Sequence, residues 1–431
     1  MPKLGWGSLV LASWSLSAIA QTTPVPTITL EEALQRARAN SVQFQAAVTE
    51  RKIAHEDRVQ ARAALLPSLS YNNEYIYTQG NGTLTGRFIA NNGVHEYVSQ
   101  GNAHETMNLG LGQIAEFRRS GATEAVARAK AEIAARGLVA TVVADYYALV
   151  VAQRKHTNAE TAAREANDFL GLSRKLEQGG EVAYSDAIKA QLQASDRDRD
   201  LQEAQLGWEK AKLTLAVLLF PNFNQDFNVA DDLNATPGLP TFADTETLAQ
   251  RKNPALAAAL AAAKAAGQEV TVARSAHFPS LTLDYWYGID ANHFATRTDG
   301  FRDLGYSAAA TLNIPVWNWG ATQSKVKQAE FRRQQARVEL SAAQRELIAD
   351  LHSSYAEAES ALAQLERLRS SVDLSVESLR LTNLRYQGGE ATALEVVDAQ
   401  NTLVLARNAY ADGEARYRVA LANLQTLTGT L

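Results

Sequence analysis

Residues able to do chemistry are plentiful in this chain but are not assembled for catalysis. The seven histidines, His55, His95, His104, His156, His277, His293 and His352, form no HExxH and no paired metal-ligand spacing. No glycine-rich phosphate loop opens a helix after a strand, and no G-x-S-x-G elbow occurs. The absence of cysteine excludes a disulfide scaffold, a thiolate metal site and a lipidated mature N-terminus. Acidic residues sit beside Lys and Arg in helical patterns, as on solvated faces. One pair is distinct: Glu395 and Asp398, spaced i, i+3, project from one helical face. On the residues alone they read as a solvated pair supporting a helix near its N-terminus. No catalytic residue, metal or cofactor is expected.

The elements that carry these residues occur twice. Leu66-Pro67-Ser68-Leu69-Ser70-Tyr71 is echoed 212 residues later by Phe278-Pro279-Ser280-Leu281-Thr282-Leu283. Gln178-Gly179-Gly180-Glu181 recurs as Gln387-Gly388-Gly389-Glu390, and Ala190-Gln191 as Ala399-Gln400, both at an offset of 209. Two landmarks of different composition in the same order indicate a duplicated module too long for a solenoid repeat. Only 10 Pro and 25 Gly in 431 residues point to long helices. Their expected positions are near 30 to 66, 121 to 177 and 184 to 218, then 245 to 277, 321 to 386 and 392 to 428. In the longest, Leu340, Ala343, Leu347, Leu351, Tyr355, Ala358, Leu362, Leu365, Val372, Val376 and Leu379 trace a coiled-coil seam. The two longest helices would run roughly 85 to 100 Å, and two shorter ones end to end would match one of them.

Between the helices lie short alternating segments. Leu69, Tyr71, Tyr75 and Tyr77 share one face, opposite Ser68, Ser70, Asn72 and Glu74. Leu281, Leu283, Tyr285, Tyr287 and Ile289 do the same opposite Thr282 and Asp284. Partner strands are expected at Met107, Leu109 and Leu111, and at Tyr306, Ala308, Ala310, Leu312 and Ile314. Each has about the ten residues a tilted strand needs to cross hydrocarbon, and aromatics such as Trp317 and Trp319 cluster near the ends as interfacial girdles do. A soluble sheet with one wet face fits the same pattern. Four strands cannot enclose a lumen, so the sheet is either open or shared between chains.

Residues 1–20 read as a secretory signal, with Lys3, an apolar run from Leu4 and a small-residue cleavage site at Ala18-Ile19-Ala20; maturation would begin at Gln21. The formal charge of −5 leaves no nucleic-acid footprint. The mature chain is read as lacking an apolar stretch of about eighteen residues, which excludes a transmembrane helix on hydropathy grounds.

Both halves resemble the repeat of the TolC family of outer membrane efflux proteins. The likeness is most specific at Leu312-Asn313-Ile314-Pro315-Val316-Trp317-Asn318-Trp319-Gly320, and at Arg385-Tyr386-Gln387-Gly388-Gly389-Glu390 running into Leu394-Glu395-Val396-Val397-Asp398-Ala399-Gln400. Gln113-Ile114-Ala115-Glu116-Phe117 lacks the Pro and matches less well. The resemblance implies a mainly α homotrimer with one shared twelve-stranded transmembrane β-barrel, four strands per chain, continued by a coiled-coil tunnel through the periplasm. The division it implies is a signal peptide (1–20), a first repeat (21–220, strand pair 67–116, tip 177–186), a linker (221–244) and a second repeat (245–431, strand pair 279–315, tip 386–394).

The implied function is a passive outer-membrane exit channel in a Gram-negative bacterium. Its partners would be a periplasmic adaptor (membrane fusion) protein, an inner-membrane transporter and outer membrane lipid, with no nucleic acid. Glu395 and Asp398 match acids lining the periplasmic entrance, where a trimeric ring of six would concentrate cations and raise some carboxyl pKa values. Tyr386 matches a tyrosine that holds the entrance shut by bonding an acid on the other tip, here Asp186 beside Ser185; a packed coiled-coil aromatic is the plainer reading. Gly180 and Gly389 match tip glycines at which adaptors dock, although the turn itself would explain both. Ala391 replaces the basic residue familiar in this turn. An exported trimeric coiled-coil fibre or adhesin is the alternative, but it would leave the four strands without purpose.

Overall fold

A computed structural model describes residues 26–78, 95–222, 225–298 and 300–430. The expected signal at 1–20 and maturation at Gln21 lie outside these residues. The first copy of the module is α1 (Leu30–Asn40), α2 (Val42–Ala63), β2 (Ser68–Tyr77), β3 (His95–Asn108), α3 (Gly112–Gln178) and α4 (Tyr184–Leu219). The second is α5 (Phe242–Lys252), α6 (Pro254–Ser275), β5 (Ser280–Ala291), β8 (Leu304–Asn313), α7 (Ala321–Gln387) and α8 (Ala393–Thr428). Helices of 11, 22, 67 and 36 residues occur in the same order in both. Two-residue strands complete the list: β1 (Thr27–Ile28) parallel to β4 (Asn228–Val229), and the hairpin β6 (Arg297–Thr298) with β7 (Phe301–Arg302).

Each opening helix is broken where the sequence pattern suggests one continuous element. Ser41 and Asn253 both adopt extended backbone and cap the following helix, accepting from the N–H of Phe44 and Leu256. In the second copy Pro254 excludes a helical conformation for the residue before it. Helix α3 begins at Gly112, earlier than expected, so Leu109 and Leu111 belong to the turn and not to a strand; β3 reaches instead from His95 to Asn108.

The strands form one antiparallel sheet in the order β2-β3-β5-β8. Register places Leu69, Tyr71 and Tyr75 in rows with Ala103, Gly101 and Tyr97, and these continue into Tyr285, Tyr287, Ala308 and Tyr306. That face is apolar and open: Leu69 is 83% and Tyr306 76% exposed. Ser70, Asn72, Asn102, His104, Asp284 and Thr311 occupy the opposite, polar face, as side-chain alternation demands. Edges β2 and β8 have no partner strand among the described residues.

Below the sheet the helices make a layer four wide, α2-α3-α6-α7 in its upper part and α4-α3-α8-α7 in its lower part. The short helices meet end to end. Asn40 donates to the Leu219 carbonyl (2.6 Å) where α2 succeeds α4, and Arg136 of α3 donates to the carbonyls of Thr426 (2.8 Å) and Lys252 (3.0 Å) where α6 succeeds α8. The α7 seam buries Leu347, Leu351, Ala358, Leu365 and Leu379, but Ser375 takes the inner place and Val376 is 45% exposed.

A second layer crosses this wall midway. Ile28, Phe227, Val229 and Leu233 close over Val139, Val143, Tyr146 and Val150 of α3 and Leu215 and Leu219 of α4. Tyr146 donates to the Ile28 and Ala230 carbonyls, and Arg154 binds Asp231 and Asn234 of the linker and Glu414 of α8. Contrary to expectation, α3 does contain a stretch apolar and long enough to span a membrane. Its apolarity is that of this equatorial core, into which Val139, Val142, Val143, Leu149 and Val150 are buried.

Candidate functional site at the helical tips

Each long helix ends in the same turn. Gly180 (φ 76°) and Gly389 (φ 75°) adopt the left-handed conformation, with Glu181 N–H bonding the Leu176 carbonyl and Glu390 N–H that of Arg385. This is the Schellman closure, which glycine allows at little steric cost. A Cβ at either position would meet nothing within 4 Å, so backbone conformation, not crowding, calls for glycine, and the space outside each turn is open.

Tyr386 does not meet Asp186. It is 1% exposed, its ring lies 5.0 Å from that of Phe169, and its hydroxyl donates to Ser173 Oγ at 3.1 Å. The cause is its position in the buried seam with Ala190, Leu379, Val396 and Leu403, which aims the side chain at the flank of α3. Asp186 lies in the first turn of α4 and accepts from Lys189 at 3.2 Å. Ser185 beside it is exposed. The tips are thus joined through Tyr386, Ser173 and Phe169.

Glu395 and Asp398 differ in setting. Thr392 caps α8 through a reciprocal box, donating its N–H to Glu395 Oε1 (3.1 Å) while its hydroxyl accepts from the Glu395 N–H (3.4 Å). Arg385 donates to the other carboxylate oxygen (3.3 Å) and to the Glu390 carbonyl (3.0 Å). Above all the Thr392 N–H, with the Thr392 hydroxyl and the Arg385 guanidinium, holds this carboxyl below its ordinary value. Within one chain the shift is therefore opposite to that expected of a crowded ring. Asp398 is exposed, and its carboxylate has no hydrogen-bond or ion-pair partner among the described residues.

The family model described as outer membrane efflux protein matches residues 247–430. The outer membrane protein TolC of Vibrio cholerae is 30% identical over 185 residues, 42% of either chain. The pyoverdine export outer membrane protein OpmQ of Pseudomonas aeruginosa is 29% identical over 93% of this chain and 83% of its own. The outer membrane channel CmeC of Campylobacter jejuni superposes with a TM-score of 0.80 at 17% identity, over 99% of this chain and 94% of that one. Residues 247–430 thus fall within the outer membrane efflux protein family.

Like these relatives, the protein is an outer membrane protein, and it has the fold of the solved channels. Three tip residues, Phe169, Ser173 and Arg385, escape the sequence reading of their roles. For Ser173 the signal in the sequence is its place one helical turn from Phe169; that it is fully buried emerges only from the structure. The two tips also differ in charge. At the 209-residue offset Asp186 corresponds to Glu395 and Lys189 to Asp398, so these positions carry a neutral ion pair at the first tip and two acids at the second, one of them held by Arg385 and Asp398 left uncompensated. Ala391, in place of a basic residue, packs against the Tyr386 cluster.

Proposed function

We propose that the protein is the exit duct of a tripartite efflux or secretion system, working as a homotrimer in outer membrane lipid. Its tips would engage a periplasmic adaptor (membrane fusion) protein and, through it, an inner-membrane transporter that supplies the energy. The duct itself performs no catalysis. The observation that carries this reading is the four-stranded sheet with one apolar face, one polar face and two open edges. Four strands cannot close around a lumen, whereas three copies supply twelve. The helical layer is open on the same two sides, with Val42, Leu192 and Val217 exposed on α2 and α4 and Phe331, Val338 and Leu374 on α7. Residues 21–220 and 245–431 act as the two wall units and 221–244 as the strap between them.

On this reading Tyr386, Ser173 and Phe169 hold the second tip against the first repeat and so bias the entrance closed, with Asp186 and Ser185 on the neighbouring tip. Glu395 and Asp398 supply the acidic rim, and Gly180 and Gly389 present the backbone to the adaptor. The test is single-channel conductance in a planar bilayer, with a multivalent cation added on the periplasmic side. A small conductance, blocked in the native protein but not in Glu395→Ala/Asp398→Ala, is expected. Pores blocked equally in both would remove the acidic rim. Folded, reconstituted protein that makes no pores would remove the duct and favour the exported fibre.

A further inference from the structure

A cleft of about 800 Å³ lies over α3, walled by α2 on one side and α6 on the other. Val139 of the floor and Val48 and Pro254 of the walls give it an apolar lining. Its rim is basic: Arg38, Arg51, Arg128, Arg136 and Lys252 stand against one acid, Glu132. Glu132 is already held by Arg136 at 2.9 Å, and the other two nitrogens of Arg136 donate to the Thr426 and Lys252 carbonyls. Arg38, Arg51, Arg128 and Lys252 are exposed, and their side chains have no ion pair or hydrogen bond among the described residues. A merely solvated surface interleaves both signs. Four unpaired cations around one hollow, in a chain with a net charge of −5, make a local field that attracts a polyanion.

The fold fixes where such a ligand would come from. The α3 residues lining the cleft, Arg128, Glu132 and Val139 among them, continue the helical face that buries Val143, Tyr146 and Val150 beneath the strap. A second layer inside a helical cylinder would plug it, so this face is the outer one. The cleft opens sideways, about 20 to 40 Å below the root of α3 at 1.5 Å per residue. Somewhere along its periplasmic length such a duct must pass through the cell wall, a fixed polymer whose peptide stems carry free carboxylates. An Arg-lined cleft suits carboxylates, which it can grip with paired N–H donors.

We propose that this cleft binds the carboxylate-bearing peptide stems of the cell wall and anchors the duct where it crosses that polymer. The inference rests on the duct reading above. The test is co-sedimentation of full-length detergent-solubilised protein with purified cell-wall sacculi, comparing native protein with Arg38→Gln/Arg51→Gln/Arg128→Gln and with the corresponding Glu triple variant. Binding is expected to weaken about tenfold in the Gln variant and further in the Glu variant. It should fall with ionic strength, vanish on sacculi whose carboxylates are amidated, and yield to competing soluble stem peptide. Undiminished binding by both variants, undiminished binding to amidated sacculi, or displacement by poly-aspartate as readily as by stem peptide of equal charge would each overturn it. The same preparations are assayed for pores: native pores with unaltered wall binding sink only this inference, whereas native protein without pores sinks the duct reading instead.

Discussion

At the root of α3, Leu111 is held at φ 61°, a left-handed conformation that costs a non-glycine residue about 1–2 kcal/mol. The corresponding root of α7 has Gly320, at φ 80°. Leu111 is 59% exposed, so Leu111→Gly forfeits little packing. It should raise the temperature at which the purified oligomer dissociates in SDS, by the equivalent of about 1 kcal/mol or less once glycine's freedom in the unfolded chain is subtracted; a lowered midpoint would mean the backbone there is unstrained. Tyr386→Phe strands the buried Ser173 hydroxyl and should cost the tip contact about 1 kcal/mol, seen as a larger resting conductance. If neither Tyr386→Phe nor Ser173→Ala changes the conductance, these residues pack the tip without gating it. Because the folded Glu395 carboxyl titrates below its ordinary 4.5, its support of α8 is complete above that value and is lost as pH falls through the lower one. The protection factors of the amides at 393–396, which correct for the intrinsic pH dependence of exchange, should then fall on acidification in native protein and stay low at every pH in Glu395→Ala. At this scale the family resemblance singles out Tyr386 but not what it touches, since the partner depends on how α3 is rotated about its own axis.

Helices and strands were far more legible than partners, because their signals are local. Alternation from Leu69 to Tyr77 and from Leu281 to Ile289 gives the two sheet faces directly, and the Gly-Gly turns give the tips. The break at Ser41 is harder to see, because no proline marks it as Pro254 marks its counterpart. What holds the elements together is less visible still, as Arg154 illustrates. It joins α3 to Asp231 and Asn234 of the linker and to Glu414 of α8, and Glu414 is only 4% exposed. Arg154→Ala leaves that carboxylate buried without its cation and should cost about 3 kcal/mol or more, whereas Arg154→Met/Glu414→Leu should recover most of the loss. Thermal unfolding of the helical signal measures both, and a double variant no better than the single one would locate the cost in the linker contacts with Asp231 and Asn234.

For the whole molecule, the proposed closure of the sheet would bring β2 of one copy beside β8 of the next. The chain has no native cysteine, so a cross-link placed there has a single interpretation. Asn72→Cys/Ala309→Cys, scanned over neighbouring registers on the polar face, should give covalent dimers and trimers on oxidation; a chain that stays monomeric in every register would argue against a shared barrel. Because each half supplies one strand pair and one set of equal helices, three chains of the proposed trimer would place six like units around the axis. Their outline repeats every sixth of a turn, while their charge repeats every third, the Asp186–Lys189 tips alternating with the Glu395 and Asp398 tips. A ring of six identical partners can fit the rim by shape alone, but its members would stand on two unequal kinds of seat, and three of them should leave more readily than the others when salt is raised.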